Sequence, residues 1–368
     1  MTNMGKGKKF GSFQVDTEPI LAMNQPYVCQ PGDFTLATDE EKASIEQSRE
    51  VNSFWHEAWG RLRANKVAMV ALVIIIFYIL AAFLGPVLIP YGYSEQIRGS
   101  ENLKMMQYSL LEQKNIDAGQ SIFPHIFGTD SLGRDLLVRI LYGARVSLTI
   151  GVVASLIVLV IGSIFGSIAG YRGGRVDSIM MRIVDIIYSV PEILVVLLLQ
   201  VVLSEPLKEW FSNSSSGFAK NMSTLGTGLI SIFITFGILY WVSMARIIRG
   251  QVLMLKQQEY VTAAKAIGAN SPHIIKKHLL PNCVGQLIVT TCLQIPSAIF
   301  LESFLSFLGL GVSAPLASLG SLASDGLKGI YSYTYRLIIP AVVLSVMILA
   351  LNLFGDGLRD ALDPRLKK

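Results

Sequence analysis

The chain has 368 residues, of which 52% are hydrophobic and only 15% are charged. Soluble globular domains carry about 25% charged residues, so this composition, with a mean hydropathy of +0.51, excludes an ordinary soluble domain. In a soluble protein the net charge of +5 would raise nucleic acid as a partner. Here the basic residues collect at the ends of apolar runs, where they set membrane orientation, so we expect no nucleic-acid partner.

The N-terminal part of the chain is polar. Residues 1–51 are rich in Gly, Lys, Ser, Thr, Glu and Gln, which predicts a mobile cytoplasmic tail rather than a domain or a cleaved signal peptide. In residues 52–66 an apolar set recurs at helical spacing, and it comprises Phe54, Trp55, Ala58, Trp59 and Leu62. We expect an amphipathic helix in the plane of the lipid headgroups, with its indole rings at the interface. A short cytosolic helix packed on a partner is the alternative.

Residues 67–368 are predicted to form a transmembrane domain. A helix needs about 20 apolar residues to cross the hydrocarbon core of a bilayer. Runs of that length, each bounded by Gly, Pro or charge, lie at 67–89, 146–169, 179–203, 225–245, 284–308 and 337–354. The predicted fold class is therefore an all-α integral membrane protein with about six transmembrane helices.

The distribution of Lys and Arg predicts which side of the membrane each loop faces. If the N-terminus is cytoplasmic, the inner segments hold these residues at more than twice the density of the outer segments at 91–143, 204–224 and 309–336. Cytoplasmic loops carry such an excess, so we expect both termini in the cytoplasm. The outer segment at 91–143 is interpreted either as a scaffold or docking surface, or as a plain solvated loop.

The second predicted span contains a tandem Gly-x-x-x-Gly pattern. Gly162, Gly166 and Gly170 are four residues apart, so they lie along one side of a helix. Without side chains at these positions a neighbouring helix can approach closely, and packing is the main source of helix association in lipid. We therefore predict a packing face here, although glycine is also common in membrane helices.

Three carboxylates lie within the predicted spans, where charge is costly and often functional. Asp185 follows Arg182 by three residues, which favours an ordinary pair at a helix end over a transport role. Glu192 follows Pro191, where a kink would open the backbone. Glu302 lies deeper and should face a partner helix or a wet cavity. A structural hydrogen bond and contact with a substrate remain alternatives for this residue.

The sequence lacks the motifs of an enzyme or an ATPase. It contains no Gly-x-x-x-x-Gly-Lys-Ser/Thr phosphate loop and no Gly-x-Ser-x-Gly nucleophile elbow. His273 and His278 are five residues apart and are expected on different faces of a helix, which gives no metal-binding spacing. The cysteines, Cys29, Cys283 and Cys292, indicate neither a disulfide framework nor a zinc site. We therefore predict no enzyme activity and no bound metal or cofactor.

The loop between the fourth and fifth spans, within 246–283, carries the most specific pattern. A short helix is predicted from Glu259 to Gly268, and glycine is suited to the left-handed conformation that ends a helix. Ser271 is predicted as the N-cap of a second helix and Pro272 as its first residue. The result is a stiff helix–turn–helix that is expected to expose two small side chains, Ala263 and Ala264, to a partner.

This loop resembles the cytoplasmic signature of the ABC importer permease family, which reads Glu-Ala-Ala, three residues, Gly, nine residues, Ile, one residue, Leu-Pro. The matching residues are Ala263, Ala264, Gly268, Leu280 and Pro281. Thr262 and His278 occupy the Glu and Ile positions, and these departures suit the peptide-transport branch, whose loop reads Glu-Tyr-Val-x-Ala-Ala. Segments at 127–135, 142–148, 305–309 and 355–364 also resemble that branch. The chain looks like the C-type subunit of an oligopeptide/dipeptide importer. It departs in the long N-terminal tail, a longer outer segment around 102–119 and a polar insert at 213–223.

The resemblance implies an ABC importer type I permease fold in a bacterial cytoplasmic membrane. It implies a second permease subunit, two ATP-binding subunits that use ATP and Mg, and an extracytoplasmic peptide-binding protein. It also assigns a coupling helix that docks in a cleft of one ATPase, with the candidate residues Glu259, Tyr260, Ala263, Ala264, Lys265, Gly268 and Ala269. A permease for another small solute, such as nickel, and a secondary carrier that works alone are the alternatives.

Overall fold

A computed structural model describes residues 54–213, 217, 226–312, 314 and 316–362. The predicted tail at 1–51, most of the polar insert at 213–223 and residues 363–368 lie outside these ranges. Within the described ranges the chain is helical, and an isolated bridge between Thr129 and Asp135 is the only β-pairing. The predicted all-α class is confirmed.

The helices follow one another along the described chain and are numbered in that order. They are α1 (Phe54–Ala64), α2 (Lys66–Leu88), α3 (Leu110–Asp117), α4 (Leu136–Arg172), α5 (Gly174–Tyr188), α6 (Glu192–Asn213), α7 (Thr227–Thr235), α8 (Trp241–Leu255), α9 (Glu259–Ala266), α10 (Ser271–Ile274), α11 (Val284–Phe307), α12 (Leu319–Leu327) and α13 (Tyr335–Leu362). Shorter turns connect some of them: a first π-turn (Phe236–Tyr240), a second π-turn (Ile275–Leu279) and a 3₁₀ turn (Pro281–Cys283).

The prediction of about six spans is confirmed. Among the described residues, 5 helices are long and apolar enough to cross a membrane, and a bent helix pair brings the number to 6. The spans predicted at 67–89, 284–308 and 337–354 correspond to α2, α11 and α13. The span predicted at 225–245 corresponds to α7, the first π-turn and the start of α8.

The third span, predicted as one helix at 179–203, is broken in the structure. Helices α5 and α6 meet at an angle of 81°. Pro191 immediately precedes α6; it has no N–H, and a proline disfavours the helical conformation in the residue before it, here Val190. The chain therefore turns at 189–191 instead of continuing straight through the membrane.

Helix α4 is the central element of the packing. It begins at Leu136, before the start predicted at 146, because Asp135 caps it by accepting a hydrogen bond from the N–H of Val138 at 2.9 Å. It contacts α2, α8, α11 and α12. Most helices of the domain therefore pack against α4.

The outer segment at 91–143 is ordered around a buried histidine. The ring nitrogens of His125 lie 2.7 Å from a carboxylate oxygen of Asp135 and 3.0 Å from one of Glu112. The Tyr91 ring stacks on the imidazole at a centroid distance of 4.6 Å. A plain solvated loop would not bury such groups together, so the structure favours a scaffold.

Side chains at the start of α13 attach this outer segment to the membrane helices. The Tyr335 hydroxyl donates to the carbonyl oxygen of Leu103 at 2.7 Å, and Arg336 donates to the side chain of Asn102 at 2.7 Å. The outer segment and the last span are thereby held to each other by charge-assisted and neutral hydrogen bonds.

The apolar residues of helix α1 lie in two environments, one buried in the protein and one exposed. Ala58 and Leu62 are buried against α2, α11 and α13. Trp55 and Trp59 remain about half exposed, at 53% and 51%. Tryptophan prefers the boundary between lipid and water, so the predicted interfacial position of this helix stays the expectation for its outer face.

Candidate coupling elbow and membrane cavity

The predicted coupling loop folds as two short helical arms at 259–279, which we call the elbow. Val261 and Ala264 of α9 are buried and pack in the main hydrophobic core with Ile274 and Leu279 of the second arm. The expectation that Ala264 is exposed was wrong, because it lies three residues after Val261 on the inner side of α9. Ala263 is exposed, as expected.

Gly268 ends the first arm in the left-handed conformation predicted for it, with φ of +86°. Its N–H donates to the carbonyl oxygen of Lys265 at 3.0 Å, and the N–H of Ala269 donates to that of Ala264 at 3.0 Å. This pair of bonds is a Schellman motif, which satisfies the last carbonyls of a helix. Ile267, at the tip, is 87% exposed. The elbow therefore presents a stiff end with an isolated apolar side chain.

The second arm begins one residue earlier than predicted. Asn270, and not Ser271, is the N-cap: its side-chain oxygen accepts a hydrogen bond from the N–H of His273 at 3.0 Å. Asparagine caps helices about as well as serine, so the sequence alone did not separate the two. Ser271 then becomes the first helical residue and Pro272 the second.

The second π-turn corrects the predicted relation between two histidines. The ring centroids of His273 and His278 are 5.8 Å apart, because hydrogen bonds between residues five apart bring such residues to one side of the turn. Tyr260 lies nearby, with its ring centroid 6.5 Å from that of His278. No set of three or more His, Cys, Asp or Glu side chains in the described part of the chain is grouped as metal ligands.

Charged contacts connect the elbow and α8 to α4 and α5. Arg249 of α8 donates to both carboxylate oxygens of Asp177 on α5, at 2.5 and 2.6 Å. The Lys265 ammonium lies 5.4 Å from the ring centroid of Tyr171, within cation–π range. A bidentate pair fixes the relative orientation of the groups it joins, so this contact links α8 to the start of α5.

The glycine pattern of α4 lies against α8. A Cβ atom at Gly162 or Gly170 would come within 2.6 and 2.8 Å of atoms of α8, and one at Gly166 would overlap the carbonyl oxygen of Ala245. The Lys256 ammonium also donates to the carbonyl oxygen of Gly170 at 2.8 Å. The two helices approach this closely only because the positions between them carry no side chain.

Asp185 pairs across helices rather than within its own. Its partner is Arg246 of α8, at 2.9 Å, and the predicted pair with Arg182 was wrong. The Arg246 guanidinium also lies 4.5 Å from the ring centroid of Tyr188, and this stacking orients it toward α5. Asp185 is exposed and Arg246 is partly exposed, so the pair contributes little to stability.

Glu302 belongs to a buried polar cluster and not to the cavity described below. It is fully buried on α11, and its carboxylate accepts hydrogen bonds from Ser147 at 2.8 Å, Ser306 at 2.7 Å and Ser303 at 3.2 Å. Ser147 is on α4, so the cluster joins two spans. The structure places Glu302 in helix packing, the structural alternative for this residue.

A cavity of about 940 Å³ opens where the third span is broken. Its wall comprises the break at 189–191, the end of the first π-turn, and parts of α11 and α13. Glu192 and Tyr240 both line it. The other polar side chains of the wall are Tyr188, Ser189, Ser243, Gln294, Ser297 and Asn352. Cavities of this size hold small organic ligands.

Arg249 and Tyr240 were not singled out from the sequence. Arg249 carried a usable signal, because an arginine close to an apolar run requires a partner or a polar exit. Tyr240 carried none, since tyrosine is ordinary near membrane helices. The position of Tyr240 in the cavity wall depends on a π-turn, and no local sequence pattern predicted that turn.

Comparison with known proteins agrees with this architecture. Residues 162–368 match the family described as binding-protein-dependent transport system inner membrane component. Residues 53–105 match the N-terminal TM domain of oligopeptide transport permease C. The first match covers more than half of the chain, so the chain belongs to the family of inner membrane components of binding-protein-dependent transport systems. It is a permease subunit and not an enzyme.

Individual relatives are similar over nearly their whole length. The chain is 46% identical over 332 residues to the oligopeptide transport system permease protein OppC of Bacillus subtilis (strain 168), which covers 90% of this chain and 95% of the relative. It is 44% identical over 336 residues to the dipeptide transport system permease protein DppC of the same organism, covering 91% and 93%. Identity to OppC of Escherichia coli (strain K12) is 38% over 331 residues, covering 90% and 96%.

Proposed function

We propose that this chain is a transmembrane permease subunit of an ATP-driven importer for oligopeptides or dipeptides, and that it forms half of the translocation pathway. The observation that carries the proposal is the 46% identity over 90% of the chain to an oligopeptide permease protein. Residues 162–368, which match the family model, contain both the elbow and the cavity. Peptide is the substrate class that both kinds of relative name.

The proposed partners are a second permease subunit, two ATP-binding subunits and an extracytoplasmic peptide-binding protein. Exposed apolar residues on α5 and α6, such as Ile179, Ile186 and Leu198, support a large covered surface in the membrane. We assign that surface to lipid and to the second permease. The ATP-binding subunits would use ATP and Mg, and this chain would hold no cofactor itself.

The elbow is the proposed contact with one ATP-binding subunit. Its outward groups are Glu259, Tyr260, Ala263, Lys265 and Gly268, with Ile267 at the tip; Ala264 and Ala269 hold it to the core. Closure of the ATPase pair would displace the elbow, and the Arg249–Asp177 pair would carry that displacement to α5. Rigid elements that move about a site near the midplane produce alternating access.

The proposed orientation places the elbow and both termini in the cytoplasm and the outer segment at 91–143 outside the membrane of a bacterial cell. The distribution of Lys and Arg supports it. In this arrangement residues 1–51 are a cytoplasmic tail, 52–66 an interfacial helix and 67–368 the permease domain, with the elbow inside 246–283. Asp185 and Arg246 then lie near the inner end of the third span.

Reconstitution in liposomes tests the proposal. We expect uptake of a labelled tripeptide only when this chain, the second permease, the ATP-binding subunits, the binding protein and ATP are all present. A complex whose ATPase lacks its phosphate-loop lysine is the matched control and should not transport. Uptake by liposomes that contain this chain alone would refute the proposal in favour of a secondary carrier.

A further inference from the structure

Two irregularities of the backbone line the cavity. One is the break at 189–191 between α5 and α6, and the other is the first π-turn, which ends at Tyr240. Non-helical backbone at membrane depth is tolerated where it is buried in protein or lines a wet cavity. Isolated π-turns are frequent at functional sites. The two features make this wall the strongest candidate for contact with a solute.

Among the described residues that line the cavity, the charged side chains are of one sign only. Glu192 is the one carboxylate among the described residues that line the cavity, and no Lys, Arg or His side chain lies with it there. The Tyr240 side chain lines the cavity together with Glu192. The remaining polar groups are hydroxyls and amides, which can both donate to and accept from peptide bonds. Apolar side chains such as Phe300 and Val190 fill the space between them.

We propose that Glu192 contacts the α-ammonium group of a peptide that occupies this cavity. The inference rests on the proposed function, because it takes the solute to be a peptide. A lone carboxylate among neutral hydrogen-bonding groups favours a cationic amine over a carboxylate. All peptides with a free N-terminus carry the α-ammonium group, whatever their side chains. Because the rest of the wall is neutral, it would not discriminate between peptides by the charge of their side chains.

The test compares two substrates and two proteins in the complete reconstituted complex. The substrates are a labelled alanine tripeptide and its desamino analogue, propionyl-Ala-Ala, and the variant is Glu192→Gln. The same binding protein delivers both substrates to both permeases, so its own preference cancels when the ratio of uptake rates is compared between proteins. We expect the variant to lose about tenfold in uptake of the tripeptide and to retain uptake of the analogue within about twofold.

Controls separate this contact from a structural role. Glu205→Gln removes an exposed carboxylate from the same helix, paired with Lys208 and outside the cavity, and should leave the ratio unchanged. Tyr240→Phe should lower the ratio by a smaller factor than Glu192→Gln. An equal loss for both substrates would mean that Glu192 only stabilises the start of α6, and would overturn the proposal, as would no loss at all.

A second measurement applies if the analogue is transported too slowly to compare. In the complex trapped with vanadate, a zero-length carbodiimide should join the tripeptide amine to the Glu192 carboxylate, and mass spectrometry would locate the bond. Coupling at other carboxylates alone would overturn the proposal. If the wild-type complex moved neither substrate, the proposed function itself would fail, and this is visible before any variant is made.

Discussion

At the scale of single residues, Gly268 fixes the direction in which the chain leaves α9. Its φ of +86° belongs to a conformation that side chains disfavour. No atom lies within 4 Å of where a Cβ would stand, so the constraint comes from the backbone and not from crowding. The position of Ile267 at the tip depends on this turn.

Gly268→Val should uncouple ATP hydrolysis from uptake. A left-handed conformation costs a side-chain-bearing residue about 1–2 kcal/mol, enough to loosen the end of α9 without unfolding the domain. We expect uptake per ATP hydrolysed to fall severalfold while the complex still assembles. The measurement is labelled-peptide uptake alongside phosphate release in the same liposomes.

Gly250→Val is the matched control for that variant. A Cβ at Gly250 would likewise meet no atom within 4 Å, but Gly250 lies inside α8 with ordinary helical backbone. It should keep its coupling ratio close to that of the wild type. Normal coupling in the Gly268 variant would contradict the docking role of the elbow.

The neighbouring alanines of α9 should differ in their response to enlargement. Ala264→Leu adds volume to a closed core and should cost about 1–3 kcal/mol, because Ala264 is only 5% exposed. Ala263→Leu adds the same atoms to an exposed position and should change stability by about 0.5 kcal/mol or less. Thermal unfolding of the purified chain distinguishes them, and equal shifts would contradict the assignment of Ala264 as an anchor.

At this scale, features set by neighbouring residues were predictable from the sequence, and features set by contacts between distant residues were not. The left-handed turn at Gly268 was predictable, because glycine after a short helical pattern is a local signal. The burial of Ala264 was not, since either face of so short a helix can turn inward. The partner of Asp185 was also missed, because Arg246 lies far along the chain and only the packing of α5 on α8 brings them together.

At the scale of elements, the outer segment is held by a histidine between two carboxylates. Burial opposes a charge on His125, but hydrogen bonds to Asp135 and Glu112 outweigh it and raise the pKa of His125 above its ordinary 6.5. Burial likewise opposes the Glu112 charge, yet hydrogen bonds from the Ser109 N–H and from His125 lower its pKa below the usual 4.5. Both pKa shifts favour the state in which His125 is protonated and Glu112 is ionised.

The stability of the outer segment should therefore pass through a maximum with pH. The contribution of His125 is complete below pH 6.5 and is lost as the pH rises through its raised folded-state pKa. That of Glu112 is complete above pH 4.5 and is lost as the pH falls through its lowered folded-state pKa. Hydrogen exchange of residues 100–135 should be slowest, after correction for intrinsic rates, between about pH 4.5 and 6.5.

His125→Gln tests the upper limb of that profile. The variant should lose the decrease in protection above pH 6.5, because glutamine does not titrate. His273→Gln changes an exposed histidine of the elbow and should leave the profile as in the wild type. A profile unchanged by His125→Gln would show that the segment is held by other contacts.

The membrane-spanning helices were largely predictable from the sequence, whereas the breaks within them were not. Apolar runs located the spans because span length is set by the bilayer. Pro191 announced a kink, but the angle of 81° depends on how α6 packs against α7. The extension of α4 back to Leu136 was missed, since residues 136–145 are too polar to be counted as membrane-spanning.

At the scale of the whole molecule, orientation decides which surface meets ATPase and which meets binding protein. Tyr331 is fully exposed in a loop predicted to be outside, and Ile267 is exposed on the elbow predicted to be inside. The two positions are therefore equally open to a reagent and differ only in the compartment that they face.

Cysteine labelling should report this difference. In a background with Cys29, Cys283 and Cys292 changed to Ser, Tyr331→Cys should react with a membrane-impermeant maleimide in intact cells. Ile267→Cys should react only after the cells are permeabilised, because the Lys- and Arg-rich loops stay inside. Labelling of Ile267→Cys in intact cells would invert the proposed orientation and remove the elbow from any cytoplasmic ATPase.

The break at 189–191 also bears on what fills the cavity between transport cycles. Peptide groups outside a helical ladder cost several kcal/mol each when hydrocarbon surrounds them, and lipid tails offer them no hydrogen bond. Ser189, Val190 and Pro191 all line the cavity, and the Ser189 N–H and the Pro191 carbonyl are paired within the chain. We expect water against the rest of this backbone whenever cargo is absent. On this expectation the resting permease keeps a hydrated recess within the bilayer, and an arriving solute displaces that water.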